Sequence, residues 1–359
     1  MFREMILIEE LYLVWLSMLS GVGSRKLKKL FERHTLEELY KDGVEGFDVL
    51  NDTSIKEKAK RSYEIILKEK IDVISIWNPS YPKLLKEIYD PPYVIYATGK
   101  KLDCVKPVSI VGSRVVDKYG VNEGFDIAKE LALDKFTVVS GMAKGIDSYA
   151  HKGCLSGGGY TVAVLGTGID ITYPMENIEL RMEIEESGTV VSEYPPYSAV
   201  KAGTFAARNR IISGLGIATV VIEAGEKSGS LITANFALEQ GREVFALPGE
   251  IGKSQSFGTN ALIKDGAVPI VSKECLVREL NELCSIYDEA FYLGTLELEE
   301  KKIIFQLSSS AMSFEDLKLK LDICDDLLTR ALTMLEMKGV IYSEDNKFRI
   351  KSGQCRKMC

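Results

Sequence analysis

The chain is poor in the residues from which most metal sites and many catalytic sites are built. Only two of its 359 residues are histidine, His34 and His151, which leaves little scope for imidazole catalysis or metal ligation. The seven cysteines (Cys104, Cys154, Cys275, Cys284, Cys324, Cys355 and Cys359) are scattered and include no CxxC pair. That pattern fits a reducing cytoplasm and neither a disulfide framework nor a zinc site. There is no excess of positive charge: 45 Lys and Arg face 52 Asp and Glu, a net charge of −7, which excludes coating a polyanion through bulk charge. Long apolar runs are missing as well. Leu11–Leu19 is too short to span a bilayer, and it follows Glu9 and Glu10 rather than a basic segment, so it is not read as a signal peptide. A cytoplasmic protein with no membrane partner is expected. The fingerprints of nucleotide enzymes are also lacking. Gly112 is followed by Ser113 and Arg114 rather than by GxGxxG, and neither GxxxxGK[ST] nor GxSxG occurs. No cofactor and no metal are expected.

What is present is an ordinary globular composition, 46% hydrophobic and 27% charged, in a chain long enough for two or three domains. Residues 1–70 read as a helical domain. A mostly apolar helix, Glu9–Leu19, leads through Gly21-Val22-Gly23-Ser24 into a basic helix carrying Arg25, Lys26, Lys28, Lys29 and Arg33. A GVG turn at a helix N-terminus suits either a helix-hairpin-helix that meets phosphate or a tight turn in a small helical bundle. Residues 71–107 are punctuated by Pro79, Pro82, Pro91 and Pro92 and read as an edge strand, a short helix and a strand leading onward. Residues 108–272 alternate buried strands with helices, the pattern of a doubly wound, mostly parallel α/β sheet of Rossmann-like type. Residues 273–296 form an acidic helical connector. Residues 297–359 follow a helix–helix–helix–hairpin plan, that of a winged helix, with a tail. Its third helix carries Asp325, Asp326 and Glu336 against Arg330 and Lys338, so it reads as an interaction or self-association module rather than a DNA-reading one.

Ligands of open α/β sheets sit beyond the carboxyl ends of the strands. Here those ends read Gly112-Ser113-Arg114, Ser140-Gly141-Met142-Ala143-Lys144-Gly145, Gly166-Thr167-Gly168, and Glu223 through Ser228-Gly229-Ser230. Glycines at successive strand ends allow close backbone approach, and the helix N-termini that follow offer free N–H groups to anions. The stretch Phe205–Leu215 adds Arg208, Asn209 and Arg210, within a segment from Tyr194 to Ile222 that holds no Asp or Glu. Two arginines two residues apart on a helix diverge by about 200°, so one faces a ligand while the other anchors to its own fold. A row of such turns suits a backbone carrying several phosphates, with Arg114, Lys144 and Arg208 as charge anchors. Phe205 and Tyr173 are candidates for base stacking, with the core the favoured place for Phe205. Asp147 and His151, spaced i, i+4, either imitate a catalytic pair or cap and orient the helix that begins at Gly145.

Taken together, IVGSR, SGMAKGIDSYAH, TVAVLGTGIDITYP, VVSEYPP, FAARNRIISGL, VVIEAGEKSGSLITANFALEQGREVFALPG and GTNALIKDGA resemble the DNA-processing protein A (DprA, or Smf) family. The likeness runs from Val108 to Ala267. It implies a non-enzymatic protein that binds single-stranded DNA on the Rossmann-like domain, forms a homodimer and recruits the recombinase RecA, in transformation or recombination. It further implies DNA contacts at Gly112, Ser113 and Arg114, at Arg208, Asn209 and Arg210, at Gly141, Lys144 and Gly145, and at Ser228, Gly229 and Ser230. Gly166 and Gly168 join them as strand-end glycines. The family's usual proline is Ala206 here, and its frequent serine is Gly216. The competing expectation is a Rossmann-like nucleoside-monophosphate phosphoribohydrolase. Such enzymes resemble P-G-G-x-G-T-x-x-E, whereas this chain reads KSGSLITANFALE, with Glu239 too far along its helix to serve.

Overall fold

The computed structural model describes residues 2–19, 24–198, 202–294, 297–307, 310–321, 323–338, 340–344 and 346–350. Two units divide the chain, Met1–Leu280 and Asn281–Cys359. The first opens with helices α1 (Phe2–Ser17), α2 (Ser24–Phe31), α3 (Leu36–Lys41) and α4 (Thr53–Glu69). Local chemistry sets their ends: Thr35 and Glu38 form a reciprocal capping box on α3, and the Asp52 side chain accepts from the Ser54 N–H to start α4. The GVG turn expected before the basic helix lies outside the described residues.

The proline-punctuated segment supplies β1 (Asp72–Ser75), α5 (Lys83–Lys86) and β2 (Val94–Gly99). Then follow β3 (Pro107–Val111), α6 (Lys118–Leu133), β4 (Thr137–Ser140), α7 (Ile146–Ser156), β5 (Thr161–Gly168), α8 (Ile178–Ser187), β6 (Thr189–Tyr194) and α9 (Ala202–Leu215). After α9 come β7 (Ala218–Val221), α10 (Gly229–Glu239), β8 (Glu243–Ala246), α11 (Phe257–Lys264) and β9 (Val268–Pro269). The strands make one nine-stranded sheet in the order β1-β2-β6-β5-β4-β3-β7-β8-β9. From β6 to β9 the strands are parallel, and β2 and β1 extend the sheet antiparallel. The strands β3, β4, β5 and β7 are buried along their whole length, so continuous apolar runs rather than alternating ones encode them. The chain winds outward from β3 through β4, β5 and β6, then returns to place β7 beside β3. This is the doubly wound arrangement, with its switch point between β3 and β7.

The expected boundaries near residues 70 and 107 do not separate independent cores. Trp15, Leu39, Leu50, Tyr63 and Ile66 of the helical segment pack in one cluster with Tyr96, Ala163, Leu165 and Val190 of the sheet. The Tyr96 hydroxyl is 2.7 Å from Ser17 Oγ, and Ser62 donates to the Pro196 carbonyl at 2.8 Å. The amphipathic helices bury their apolar stripe on one sheet face, at about 1.5–3 kcal/mol per fully buried large side chain. On the opposite face Leu85, Ile211, Ile212, Leu215 and Ala234 cover Val111, Val139, Val164 and Val221.

Helix α12 (Lys273–Gly294) runs through the boundary between the units. The second unit then holds α13 (Leu298–Leu307), α14 (Phe314–Leu321), α15 (Asp325–Met337) and a hairpin of β10 (Ile341–Glu344) and β11 (Lys347–Ile350). Ile303, Leu317, Leu328, Leu332 and Leu335 form its core, and Met312 pairs with Phe348 as a further bridge. The element order is the expected three helices and a hairpin. Among the described residues no helix is long and apolar enough to cross a membrane.

Candidate functional site

At the carboxyl end of β3, Gly112 lies against Ile146 so closely that a Cβ would fall 2.5 Å from Ile146 Cγ1. Ser113 then turns the chain and is used up in doing so. Its N–H donates to the Glu223 carbonyl at 2.8 Å, its carbonyl accepts from the Ile146 N–H at 3.1 Å, and its hydroxyl donates to the Val115 carbonyl at 2.6 Å. Ser113, expected as a ligand contact, is therefore a buried brace. What it presents is Arg114, which is exposed and makes no ion pair or hydrogen bond among the described residues.

The β4 end forms a tight loop over the same place. Gly145 has φ +80°, and a Cβ there would sit 2.3 Å from the Ser113 carbonyl oxygen, so only glycine fits. Asp147 accepts from the Ala143 N–H at 3.3 Å and so orients this loop, while His151 bonds Thr161 Oγ1 at 2.7 Å through Nδ1. The two do not form a catalytic pair. Burial pushes the Asp147 carboxyl up, an effect that Arg208 opposes, and burial drives the His151 imidazolium down to about 3, so His151 is neutral. Lys144 projects to solvent and meets Glu176 at 2.7 Å, an exposed pair of little strength that a phosphate can displace.

Helix α9 crosses beneath these loops with its two arginines on different errands. Arg208 is only 4% exposed, and its guanidinium donates to the Gly141 carbonyl at 2.8 Å and to the Val164 carbonyl. Expected as a charge anchor at the rim, it instead ties the end of β4 to the middle of β5 from the floor. Burial brings its pKa down to about 10, partly offset by Asp147, which leaves it charged at neutral pH. Arg210 points away: it grips Glu193 with two bonds of 2.6 and 2.9 Å and approaches Asp90 at 3.5 Å. Its fork is committed to the fold, so the expected contact from Arg210 has no free donor pair behind it. Asn209 reaches the Gly229 carbonyl at 3.3 Å, linking α9 to the start of α10, where Ser228 caps the helix by accepting from the Ser230 N–H.

These elements enclose a cleft. Arg114, Lys144 and Arg208 give it charge, Gly141, Ala143 and Gly166 form its base, and Tyr173, Pro174 and Phe205 make an apolar wall. The Tyr173 and Phe205 rings lie 5.1 Å apart, tilted at 46°. Phe205 is half-buried and lines the cleft rather than disappearing into the core, because it stacks over Gly166, where a Cβ would fall 2.8 Å from its ring. Of the sequence-predicted residues, Arg114, Gly141, Lys144, Gly166 and Arg208 meet here, while Gly112, Ser113 and Gly145 shape the wall behind. Gly168, Asn209, Arg210, Ser228, Gly229 and Ser230 do not line it. Sequence reasoning did not single out Pro174, or Ala143 within its strand-end run, since neither carries a chemical signal of its own. It named Glu223 only as the start of a strand-end run and gave it no role; the residue lies at the switch point, 4% exposed, with Oε2 unpartnered among the described residues. Burial, and then Asp117, raise the Glu223 carboxyl to about 7.

Comparison with known proteins bears on this geometry. A sequence profile of the DNA recombination-mediator protein A family matches residues 72–281. Protein Smf of Synechocystis sp. is 43% identical over 212 residues, covering 57% of this chain and 53% of the relative, so the match spans about half of that protein's length. DNA processing protein DprA of Bacillus subtilis is 40% identical over 223 residues, covering 62% of this chain and 75% of the relative. Among solved structures, DNA processing protein A of Streptococcus pneumoniae covers 75% of this chain and 96% of its own, at 34% identity and a TM-score of 0.63. The Helicobacter pylori protein, whose structure was described for its single-stranded DNA binding mode, covers 59% of this chain and 96% of its own, at 30% identity and a TM-score of 0.55. With the profile match taking in more than half of its residues, the sheet and the cleft included, this chain belongs to the DNA recombination-mediator protein A (DprA/Smf) family.

Proposed function

We propose that the cleft binds single-stranded DNA without reading its sequence, and that the protein acts in the cytoplasm as a mediator that loads RecA onto the strand. The observation that carries this reading is the pairing of two exposed cations, Arg114 and Lys144, with the Tyr173–Phe205 wall at the carboxyl edge of the sheet. Guanidinium and ammonium groups meet phosphates of any nucleotide, and rings stack on any base that is not held in a duplex. Backbone N–H groups at the strand-end turns, among them the Arg114 and Lys144 positions, add donors of the same indifference to sequence. The titratable groups beneath the cleft, Asp147 and His151, are sealed from it, which favours binding over turnover.

Membership of a recombination-mediator family supports the step to RecA, and the single-stranded DNA binding of the Helicobacter pylori relative supports the ligand. Self-association as a homodimer would set two clefts on one strand and raise affinity through effective concentration.

The test is fluorescence anisotropy of a labelled oligothymidine across a range of salt, with wild type and an Arg114→Ala/Lys144→Ala double variant. Each neutralised phosphate of a single strand contributes about 0.7 to the slope of log affinity against log salt, so the variant's slope should be shallower by roughly 1.4. Equal slopes would falsify the placement of the phosphates. Nucleoside monophosphates are assayed alongside for hydrolysis; turnover above a buffer blank would favour the phosphoribohydrolase reading instead.

A further inference from the structure

The basic helix and the proline-rich segment, neither of which the cleft uses, meet on the surface. Phe31 at the end of α2, Trp77 just after β1 and Tyr93 just before β2 form an aromatic cluster. Its ring centroids lie 4.8 Å apart for Phe31–Trp77, 5.7 Å for Trp77–Tyr93 and 5.9 Å for Phe31–Tyr93. Phe31 and Tyr93 pack against the core beneath, as a satellite of ordinary hydrophobic packing would. Trp77 does not: it is 51% exposed, an unusual place for the largest apolar side chain. Beside it, α2 and the residue pair that follows hold exposed Lys28, Lys29 and Arg33, none of them ion-paired among the described residues, against a single exposed acid, Glu32. In a chain of net charge −7 this is a marked local excess.

Sheet topology puts the cluster on the same edge as the cleft. Because β2 is antiparallel to β6, with Tyr96 opposite Ser192, its amino end lies at the carboxyl end of β6. Strand β1 is antiparallel to β2 in turn, with Ser75 opposite Val94, and the Ile76 N–H donates to the Tyr93 carbonyl at 2.9 Å. Trp77 and Tyr93 therefore emerge at the edge where Gly141, Gly166 and Gly168 also end their strands. From β5 to β1 there are three inter-strand spacings, roughly 14 Å at about 4.8 Å each. Between them, after β6, stands Tyr197, 68% exposed, its N–H held by the Asp170 carboxylate at 3.2 Å. The acids along this edge are engaged: Asp170 with Tyr197, Glu176 with Lys144, and Glu193 and Asp90 with Arg210.

We infer that a single strand leaving the cleft continues along the carboxyl edge of the sheet onto the Phe31–Trp77–Tyr93 platform, with its phosphates met by Lys28, Lys29 and Arg33. This extends the single-stranded DNA reading of the cleft and rests on it. The physical logic is the alternation of cations and exposed ring faces that sequence-indifferent strand binding requires.

The chain offers its own reporter, because it has only two tryptophans and the other, Trp15, is fully buried. Oligothymidines of about 6 and about 20 nucleotides, spanning the usual site sizes, are titrated while tryptophan emission and anisotropy are followed. The longer strand should quench Trp77 and should bind Trp77→Ala, or Lys28→Glu/Lys29→Glu, at least about fivefold more weakly than wild type. The short strand should bind all three proteins alike. The charge variant keeps the question open to refutation even if Trp77→Ala folds poorly. Binding of the long strand without quenching, and with equal affinity for the charge variant, would overturn the platform while leaving the cleft intact. Failure of wild type to bind either length would remove the cleft reading, and the platform with it.

Discussion

Arg208 ties the carboxyl end of β4 to the middle of β5 through the Gly141 and Val164 carbonyls, from a position 4% exposed. Truncation to alanine takes the donor from both carbonyls and removes from the buried Asp147 the larger of the two positive charges, Arg208 and Arg114, that oppose its desolvation. A buried acceptor left unmatched costs about 1–3 kcal/mol, and breaking a buried charged network costs about 3–5 kcal/mol in all. The two figures describe the same loss and are not summed, so about 3–5 kcal/mol is expected. At about 2–4 °C per kcal/mol for a large domain, Tm should fall by roughly 6–20 °C. Arg114→Ala removes an exposed side chain with no hydrogen bond or ion pair among the described residues and should change stability by no more than about 0.5 kcal/mol. Urea and thermal unfolding followed by tryptophan emission suit the comparison, since Trp15 and Trp77 both lie in the Met1–Leu280 unit. Arg208→Lys should fall between, because one ammonium on a different stem does not reproduce the planar fork. An Arg208→Ala protein that melts with wild type yet binds DNA as poorly as Arg114→Ala would refute the architectural role. It would return Arg208 to the rim as a ligand contact.

Arg210→Ala should leave the salt slope of DNA binding at the wild-type value, since its guanidinium is committed to Glu193 and Asp90. It should lower stability by about 2–4 kcal/mol, and a shallower slope would show that Arg210 meets phosphate after all. Gly145→Ala forces a Cβ to 2.3 Å from the Ser113 carbonyl at φ +80°, so a loss above about 2 kcal/mol in urea unfolding is expected, with weaker DNA binding as Arg114 is displaced. Glu223 carries a pKa raised from 4.5 to about 7, so between these values the folded chain holds a proton that the unfolded chain has released. Stability from this group is therefore lost as pH rises from about 4.5 through 7. The urea midpoint of Glu223→Gln should gain on wild type across that window and run parallel above it. A constant difference from pH 4 to 8 would show that Glu223 titrates normally.

Much of the doubly wound sheet was legible in the chain, for one physical reason. Strands buried on both faces must be apolar throughout, and the turns that end them at a close-packed edge must be small, so VSIV, TVVS and TVAVLG each stop at glycine or serine, while ATVV runs on through Ile222, Glu223 and Ala224 to Gly225. The positions of Arg114 and Lys144 followed, since each stands in such a turn with a charge and nowhere else to go. Other roles were not legible. That Arg208 and Arg210 diverge could be read from helix geometry, and Arg208 was the one expected at the ligand; that it braces the cleft from a buried position could not be read, because that depends on how α9 is rotated against β4, β5 and β6. Ser113 reads as a free hydroxyl until Glu223, Ile146 and Val115 are seen to surround it. Phe205 reads as core until Gly166 and Tyr173 are found beside it.

Local pattern alone marked which segments are strands and which edge of the sheet is rich in glycine and cation, and the net charge required any polyanion binding to be local. These follow from composition along the chain, where burial and turn geometry leave direct marks. That the amino-terminal helices share a core with the sheet, and that Phe31, Trp77 and Tyr93 meet, emerged only in the folded chain. The same holds for the two arginines of α9, one bracing the cleft while the other braces the fold. Those outcomes depend on contacts between residues dozens of positions apart, set by strand order and by the antiparallel turn of β2 against β6, and a local pattern carries no record of either.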